Sequence, residues 1–216
     1  MEIGRFERYI YIIIPNFVLV RVLPLFSKYK FFKETLNTQT PISFNMWYNQ
    51  KVRGHCREAY WPVHKNSVVT DPQNVYCGIE TSPGYSPGNY IQAKGKIYIG
   101  DYTQIAANVG IISANHVLED NRKHDHKEVH IGKYCWIGMG ALIMPGVILG
   151  DYTIVGAGSV VTKSFPDGYC VLAGNPAKKI KELEREKCVF HKSIHEYNGY
   201  IKHAQFNNHR KLYLNV

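Results

Sequence analysis

Aliphatic residues recur at every sixth position through the second half of this 216-residue chain. The run consists of Ile131, Ile137, Ile143, Leu149, Val155 and Val161, and glycine follows four of the six. Shorter runs with the same spacing are Ile99, Ile105 and Ile111, and, more weakly, Val63, Val69 and Val75. A period of six matches neither an α-helix nor the two-residue alternation of an ordinary strand. It predicts an all-β solenoid of triangular cross-section, with six residues to a side and about eighteen to a coil.

Two stretches interrupt this period, and the first is predicted to leave the prism. From Ile111 to Ile131 the chain has twenty residues, two more than three sides need, and the excess falls in the polar segment 113–128. Residues 78–90 are rich in Gly, Pro and Ser, which indicates a loop or a distorted coil. Loops that project from a rigid scaffold often carry function, so both segments are candidates for the site.

The extent of the repeat divides the chain into four predicted regions. Residues 1–60 form an N-terminal extension, 61–165 the solenoid, 166–190 a capping segment and 191–216 a tail of unassigned role. Within the capping segment, Asn175-Pro176 reads as a helix cap followed by proline at the first helical position. We therefore expect an amphipathic α-helix over Ala177–Lys187 that covers the open end of the solenoid.

The N-terminal extension contains a strongly apolar stretch at residues 9–26. Two prolines, Asn16 and Arg21 interrupt it, whereas a membrane-spanning helix needs about 20 apolar residues without such breaks. We expect an apolar arm packed on the main domain or on a neighbouring subunit. The alternative is a peripheral contact with a membrane surface, which the basic side chains in and around this stretch favour.

The formal net charge of +9 favours anionic partners but does not choose among them. The sequence contains no helix-turn-helix, zinc or RNA-binding signature, so we expect no nucleic-acid partner. Five widely spaced cysteines without a CxxC pair indicate a reduced, cytoplasmic protein rather than a disulfide framework.

From about Val63 to Leu183 the sequence resembles the hexapeptide-repeat acyltransferases, and the resemblance is densest over residues 131–180. The most similar branch contains galactoside, maltose, xenobiotic and capsular polysaccharide O-acetyltransferases. The resemblance implies a left-handed parallel β-helix, a homotrimer with active sites between subunits, and acetyl-coenzyme A as the acyl donor without a required metal.

The same resemblance assigns roles to individual residues. His116, at the root of the long loop, aligns with the catalytic histidine, and an imidazole of pKa near 6.5 suits a general base at neutral pH. Trp136 aligns with a tryptophan that the family places beside that histidine. A large side chain packed in a subunit interface explains Trp136 almost equally well. Asn115, Glu119 and Asp120 are candidates to orient the imidazole.

Further residues are predicted to bind the two substrates. A main-chain N–H near Met139 is expected at the thioester oxygen, and small residues along the coenzyme track allow close approach to the backbone. The predicted coenzyme-binding set is Met139, Ala157, Gly158, Ser159, Lys163, Lys178 and Lys179. The predicted acceptor-binding set is Tyr85, Asn89, Tyr90 and Gln92.

We therefore expect an enzyme that transfers acetyl from acetyl-CoA to a sugar hydroxyl of a surface polysaccharide or its precursor. An antibiotic or xenobiotic hydroxyl, or the amine of a nucleotide sugar, remains an alternative acceptor. Two other classes of protein rank lower. One is a γ-carbonic-anhydrase-like metal enzyme, suggested by His116, His124, His126 and His130. The other is a non-catalytic solenoid that serves as a binding scaffold. The spacing of those histidines does not fit the former.

Overall fold

Three parallel sheets form the sides of a triangular prism in the computed structural model, which describes residues 25–216. Strands are numbered in chain order. Sheet A contains β1 (Val68–Val69), β3 (Tyr90–Gln92), β6 (Gly110–Ile112), β11 (Leu142–Ile143) and β14 (Val160–Val161). Sheet B contains β2 (Val75–Cys77), β4 (Ile97–Ile99), β9 (Val129–Ile131) and β12 (Ile148–Leu149). Sheet C contains β5 (Gln104–Ile105), β10 (Trp136–Ile137), β13 (Thr153–Val155), β15 (Cys170–Gly174) and β16 (Ala177–Glu182).

The register of these sheets confirms the predicted coil length. Leu142 pairs with Val160 and Trp136 with Ile154, so equivalent residues of neighbouring coils are eighteen positions apart. All nine aliphatic residues of the two stronger runs are at most 8% exposed and point into the prism. Full burial of one such side chain contributes roughly 1.5–3 kcal/mol, so the repeat is a major part of the core.

The glycines that follow these residues are required by the close approach of neighbouring coils. A Cβ on Gly132 would lie 2.5 Å from the Asp151 nitrogen, and one on Gly150 would lie 2.2 Å from the Pro166 oxygen. Real Cβ atoms are not found at such distances, so the glycine positions fix the spacing between coils as well as the turn at the corner.

The segment that leaves the prism is longer than the sequence predicted. Gly110 pairs with Leu142, so the coil between them has 32 residues instead of 18. The prediction of two extra residues was wrong because Ile111 and Ile131 lie on adjacent sides, sheets A and B, rather than three sides apart. The inserted residues form an antiparallel hairpin of β7 (Ala114–Val117) and β8 (Asp120–His126).

The predicted helix over Ala177–Lys187 is wrong. Residues Ala177–Glu182 form β16, which pairs antiparallel with β15, and Arg185–Lys187 form a single 3₁₀ turn. Ile180, expected to pack on the core, is 65% exposed. Pairing with β15 gives hydrogen-bond partners to the backbone groups along the edge of sheet C. The stabilisation from these hydrogen bonds exceeds the weak intrinsic stability of an eleven-residue helix.

The C-terminal helix lies instead in the tail to which the sequence assigned no role. Before it, β17 (Tyr197–Asn198) and β18 (Ile201–Lys202) form a short hairpin. The helix spans His203–Tyr213, and its buried Phe206 packs on the rings of Tyr60 and Tyr76 at 5.2 and 5.8 Å. The chain therefore returns to the first coils of the solenoid.

Residues 25–60 contain two short helices, α1 (Phe31–Glu34) and α2 (Phe44–Trp47), so the C-terminal helix is α3. They are held by a second apolar cluster, separate from the solenoid core. Its buried members are Tyr29, Phe31, Phe32, Ile42, Phe44, Trp47 and Tyr197. No helix within residues 25–216 is long and apolar enough to cross a membrane. The apolar stretch 9–26 falls almost entirely outside the described residues, and the four-region division stays a prediction.

Candidate active site

His116 lies on the exposed β7–β8 hairpin, where the chain leaves the prism between sheets A and B. Its ring nitrogen Nδ1 hydrogen-bonds to the main-chain oxygen of Asn121. Because a carbonyl oxygen only accepts, Nδ1 carries the proton and Nε2 keeps its lone pair. The hairpin thus holds the imidazole with Nδ1 as the donor and leaves Nε2 without a partner among the described residues.

The group that orients the imidazole is a backbone atom, which sequence reasoning missed. Asn115, predicted to assist His116, pairs in register with Asp125 across the hairpin. The side-chain hydrogen bond from Arg122 holds the pKa of Asp120 below its usual range, and the two charged groups are 2.8 Å apart. Asp120 is thus engaged with Arg122, and the carbonyl of Asn121 holds the ring.

His124 pairs with His116 across the hairpin, and the two ring centroids are 4.4 Å apart. The Nζ atom of Lys94 lies 2.9 Å from Nε2 of His124. Desolvation, followed by the charges of Lys94, His116 and His126, holds the pKa of His124 below its usual range. The neutral form of His124 is therefore favoured more than in a free imidazole.

The histidines of the hairpin do not form a metal centre. Among residues 25–216 no group of three or more His, Cys, Asp or Glu side chains is arranged to hold a metal ion. His130, the fourth histidine weighed as a ligand, stacks on Tyr98 at 4.6 Å and contacts Glu128 at 3.0 Å.

Trp136 lies on a different side of the prism from His116. It is the first residue of β10 in sheet C, and 56% of it is exposed. It lines a pocket of about 450 Å³, hereafter the Trp136 pocket. Other lining residues are Gln39, Tyr102, Gln104, Tyr134, Tyr152 and His191. Within one chain, therefore, the two predicted catalytic side chains are not brought together.

A row of four stacked tyrosines, three of which line this pocket, was missed from the sequence. Tyr102, Tyr134, Tyr152 and Tyr169 occupy equivalent corners of successive coils, each with a positive φ between 47° and 58°. Their neighbouring ring centroids are 5.2 to 5.4 Å apart. The available signal was a tyrosine one or two positions after each corner glycine, as in GDYT, GKYC and DGYC.

The tyrosine row binds residues 188–196, hereafter the C-terminal strap. The hydroxyl of Tyr152 donates to the Val189 oxygen, and that of Tyr134 donates to the His191 oxygen at 2.8 Å. The hydroxyl of Tyr102 accepts from the Ser193 amide at 3.2 Å. The strap therefore runs along the tyrosines and supplies part of the Trp136 pocket.

The residues predicted to bind coenzyme lie at the corner between sheets C and A and at the C-terminal end of the prism. Met139 is 57% exposed, and its amide donates no hydrogen bond to any residue from 25 to 216. A Cβ on Gly158 would meet no atom within 4 Å, so the surface beside Ala157 and Gly158 is open. Ser159 differs, because its buried hydroxyl accepts from the Gly174 amide at 3.2 Å.

The three lysines of the predicted coenzyme-binding set lie on or beside neighbouring strands at this end of the prism. Lys163 follows β14, whereas Lys178 and Lys179 belong to β16, which contacts β14. Lys179 forms an ion pair with Glu182. Lys163 and Lys178 are exposed and have no carboxylate within ion-pair distance among the described residues.

The predicted acceptor residues are mostly engaged within the chain. Asn89 is 1% exposed, and its Nδ2 donates to the Ala106 oxygen at 2.8 Å. The hydroxyl of Tyr85 donates to the Pro41 oxygen at 2.9 Å. Gln92 accepts from the Ala114 amide at 2.9 Å and so supports the root of the hairpin. Tyr90, at 44% exposure, is the member with a large free surface.

Similarity to known proteins identifies the class to which this fold and site belong. Residues 128–163 match the family model described as bacterial transferase hexapeptide (six repeats). A Saccharomyces cerevisiae protein provisionally named an acetyltransferase is 39% identical over 138 residues, which cover 59% of this chain and 68% of that protein. The chain therefore belongs to the hexapeptide-repeat acetyltransferases.

Two further relatives carry more specific names. Galactoside O-acetyltransferase of Escherichia coli is 38% identical over 101 residues, which cover 44% of this chain and 49% of that enzyme. The solved structure of a maltose O-acetyltransferase from Clostridium difficile matches 74% of this chain and 84% of its own, with 27% identity and a TM-score of 0.54. The left-handed parallel β-helix is thereby confirmed. The chain spans only 40 to 49% of most of the curated relatives.

Proposed function

We propose that this protein is an O-acetyltransferase that uses acetyl-CoA as donor and His116 as the general base. The observation that carries the proposal is the hydrogen bond between Nδ1 of His116 and the Asn121 oxygen, which leaves Nε2 free on an exposed hairpin. A neutral imidazole held in this tautomer is the form that accepts a proton from a hydroxyl at neutral pH.

The proposed reaction is a direct transfer between two bound substrates. Nε2 of His116 takes the proton of the acceptor hydroxyl as its oxygen attacks the thioester carbonyl carbon. The negative charge then forms on the carbonyl oxygen, and the free amide of Met139 is the proposed donor to it. When the intermediate collapses, the carbon–sulfur bond breaks and the imidazolium returns the proton to the thiolate of coenzyme A.

We infer a sugar hydroxyl as the acceptor, in a surface polysaccharide or its precursor. The galactoside and maltose O-acetyltransferases named above support a saccharide. The Trp136 pocket supports it as well, because aromatic rings pack on the faces of a sugar ring while Gln39 and His191 supply hydrogen-bonding groups.

We also propose that the complete site forms between copies of the chain in a homotrimer. His116 and Trp136 lie on different sides of one prism, so they meet only where the hairpin of one chain reaches sheet C of another. The outer face of sheet A supports such packing, since Val68, Tyr90 and Leu142 form a partly exposed apolar row.

A cytoplasmic location is part of the proposal. All five cysteines are free thiols. Three of them are buried in the core, where burial also protects them from oxidation. Free thiols and a coenzyme A substrate both fit a reducing compartment.

The test is release of coenzyme A thiol from acetyl-CoA across a panel of mono- and oligosaccharides, nucleotide sugars, antibiotics and amino acids. On the best acceptor, His116→Ala should lower kcat by about 10²–10⁴-fold, the usual contribution of such a base. His126→Ala, which removes an exposed histidine from the same hairpin, is the matched control and should retain activity. Equal rates for His116→Ala and the parent protein would refute the proposed base.

A further inference from the structure

A second pocket opens where the C-terminal strap meets helix α1, and its chemistry differs from that of the Trp136 pocket. It has a volume of about 610 Å³ and is lined by Lys30, Lys33 and Glu34 from the N-terminal side and by Lys192 to His195 from the strap. Nothing in the proposed acetyl transfer uses these residues.

The pocket carries a net positive charge. Lys30, Lys33 and Lys192 are exposed, and none of them has a carboxylate within 4 Å among residues 25–216. The one acidic residue of the lining, Glu34, is compensated by Lys202 at 3.1 Å and accepts a hydrogen bond from Tyr197. Three uncompensated cations therefore face the pocket and attract anionic groups.

Large exposed apolar side chains occur in the lining and close to it in the sequence. Ile194 in the lining is 95% exposed, and Leu36, beside the lining residues of the N-terminal side, is 61% exposed. Leu25 and Phe26, which precede α1, are 79% and 61% exposed. Exposed leucine, isoleucine and phenylalanine beside lysine are the side chains that enter the boundary between lipid headgroups and acyl chains.

The order of the chain adds a third, independent observation. Residues 1–24 lie outside the described part of the structure, and their sequence from residue 9 onward is strongly apolar, with basic residues at 5, 8 and 21. This segment joins the described chain at Leu25, which precedes helix α1 by a few residues. A segment too interrupted to span a bilayer but rich in apolar and basic residues is suited to its surface.

We propose that residues 25–37 and 192–195, hereafter the basic–apolar surface, bind an anionic membrane. The lysines pair with lipid phosphates, and Phe26, Leu36 and Ile194 enter the headgroup layer. A soluble phosphate compound would account for the lysines but not for the exposed apolar side chains. The strap also borders the Trp136 pocket, so binding would hold that pocket near the lipid surface.

The test is cosedimentation of the full-length protein with vesicles of phosphatidylcholine, with and without phosphatidylglycerol. Each surface lysine contributes about a fivefold increase in affinity for an anionic membrane. The charge-reversed variant Lys30→Glu/Lys33→Glu/Lys192→Glu should therefore bind the anionic vesicles at least about 100-fold more weakly. Ile194→Ser should weaken binding about tenfold, because one apolar side chain no longer leaves water.

The matched control is Lys65→Glu/Lys181→Glu/Lys211→Glu, which makes the same change in net charge at exposed lysines outside the pocket. It should retain most of the binding. Equal losses in the two triple variants would show general charge attraction and overturn the proposal. Parental binding by the first variant would assign the contact to residues 1–24 alone and would overturn it as well.

Two remaining outcomes also decide against the basic–apolar surface. One is a parent protein that does not sediment with anionic vesicles. The other is a parent protein that inorganic phosphate stabilises but that does not bind vesicles, with the stabilisation lost in the first triple variant. That result would indicate that the lysines bind a soluble anion. Thermal unfolding checks that each variant folds, and thiol release is measured separately. Loss of acetyl transfer with vesicle binding intact would leave this inference standing and refute only the proposed enzyme activity.

Discussion

Ser113 lies at the root of the hairpin that carries His116, and replacing it with alanine tests how that hairpin is held. Its side chain is fully buried. The hydroxyl oxygen accepts from the Gly95 amide at 2.9 Å, and the hydroxyl proton is within reach of the Gln92 and Gly95 oxygens at 2.7 and 3.0 Å. One small side chain therefore joins the start of the insertion to two neighbouring segments.

Ser113→Ala removes the one acceptor that the Gly95 amide has within residues 25–216, whereas the Gln92 oxygen still accepts from the Ser113 amide at 3.0 Å. Loss of the hydrogen bonds of this buried hydroxyl, which leaves the partly buried Gly95 amide without a partner, reduces the free energy of unfolding by about 1–3 kcal/mol. For a chain of this length, that corresponds to a fall in Tm of roughly 2–12 °C. A shift of about 1 Å at His116 would also lower kcat about 10²-fold.

The assays are thermal unfolding and thiol release, both at one fixed protein concentration. Ser86→Ala is the matched control, because its half-buried hydroxyl makes a single hydrogen bond to the Ile105 oxygen and accepts none. It should change the free energy of unfolding by less than about 1 kcal/mol. If Ser113→Ala were no less stable than Ser86→Ala, the account of the hairpin root would be refuted.

Three other predictions concern the solenoid and the strap. Gly132→Ala places a Cβ 2.5 Å from the Asp151 nitrogen and should destabilise by about 1–3 kcal/mol, measured by urea unfolding. Gly156→Ala, whose nearest contact is 3.2 Å, should change stability by less, and the reverse order would contradict the coil-spacing argument. Burial raises the pKa of the Cys135 thiol to about 12, so the unfolded chain loses this proton first and stability should fall as pH rises from about 9 to 12. In Cys135→Ala the free energy of unfolding should fall less steeply with pH over this range. An unchanged dependence on pH would exclude this thiol as the cause. Tyr152→Phe removes the hydrogen bond to Val189 and should speed proteolysis within the strap, whereas Tyr213→Phe, on an exposed ring, should not.

The fold was predictable because the period of six is a local pattern with one geometric solution. A residue such as Ile137 must be buried in every coil, and the glycine after it must admit the backbone of the next coil. The position of His116 on the inserted hairpin was predictable for a related reason, since the repeat fails beside it, whereas its catalytic role stays a prediction. The family resemblance then supplied its expected role.

The errors arose where tertiary contacts override local preference. Residues Ala177–Glu182 have the composition of a helix, yet the unpaired edge of β15 makes them a strand. The length of the hairpin was misjudged because the sequence does not show which side of the prism each aliphatic residue occupies.

The sequence by itself determined the solenoid, its coil length and the position of the exposed histidine, because each follows from the spacing of residue types along the chain. Only the tertiary structure decided what orients His116, that Trp136 lies on another side, and that the tail binds a row of tyrosines. These features depend on a backbone carbonyl and on residues up to about ninety positions apart. The contacts of the tail join residues far apart in the sequence, so no local pattern records them.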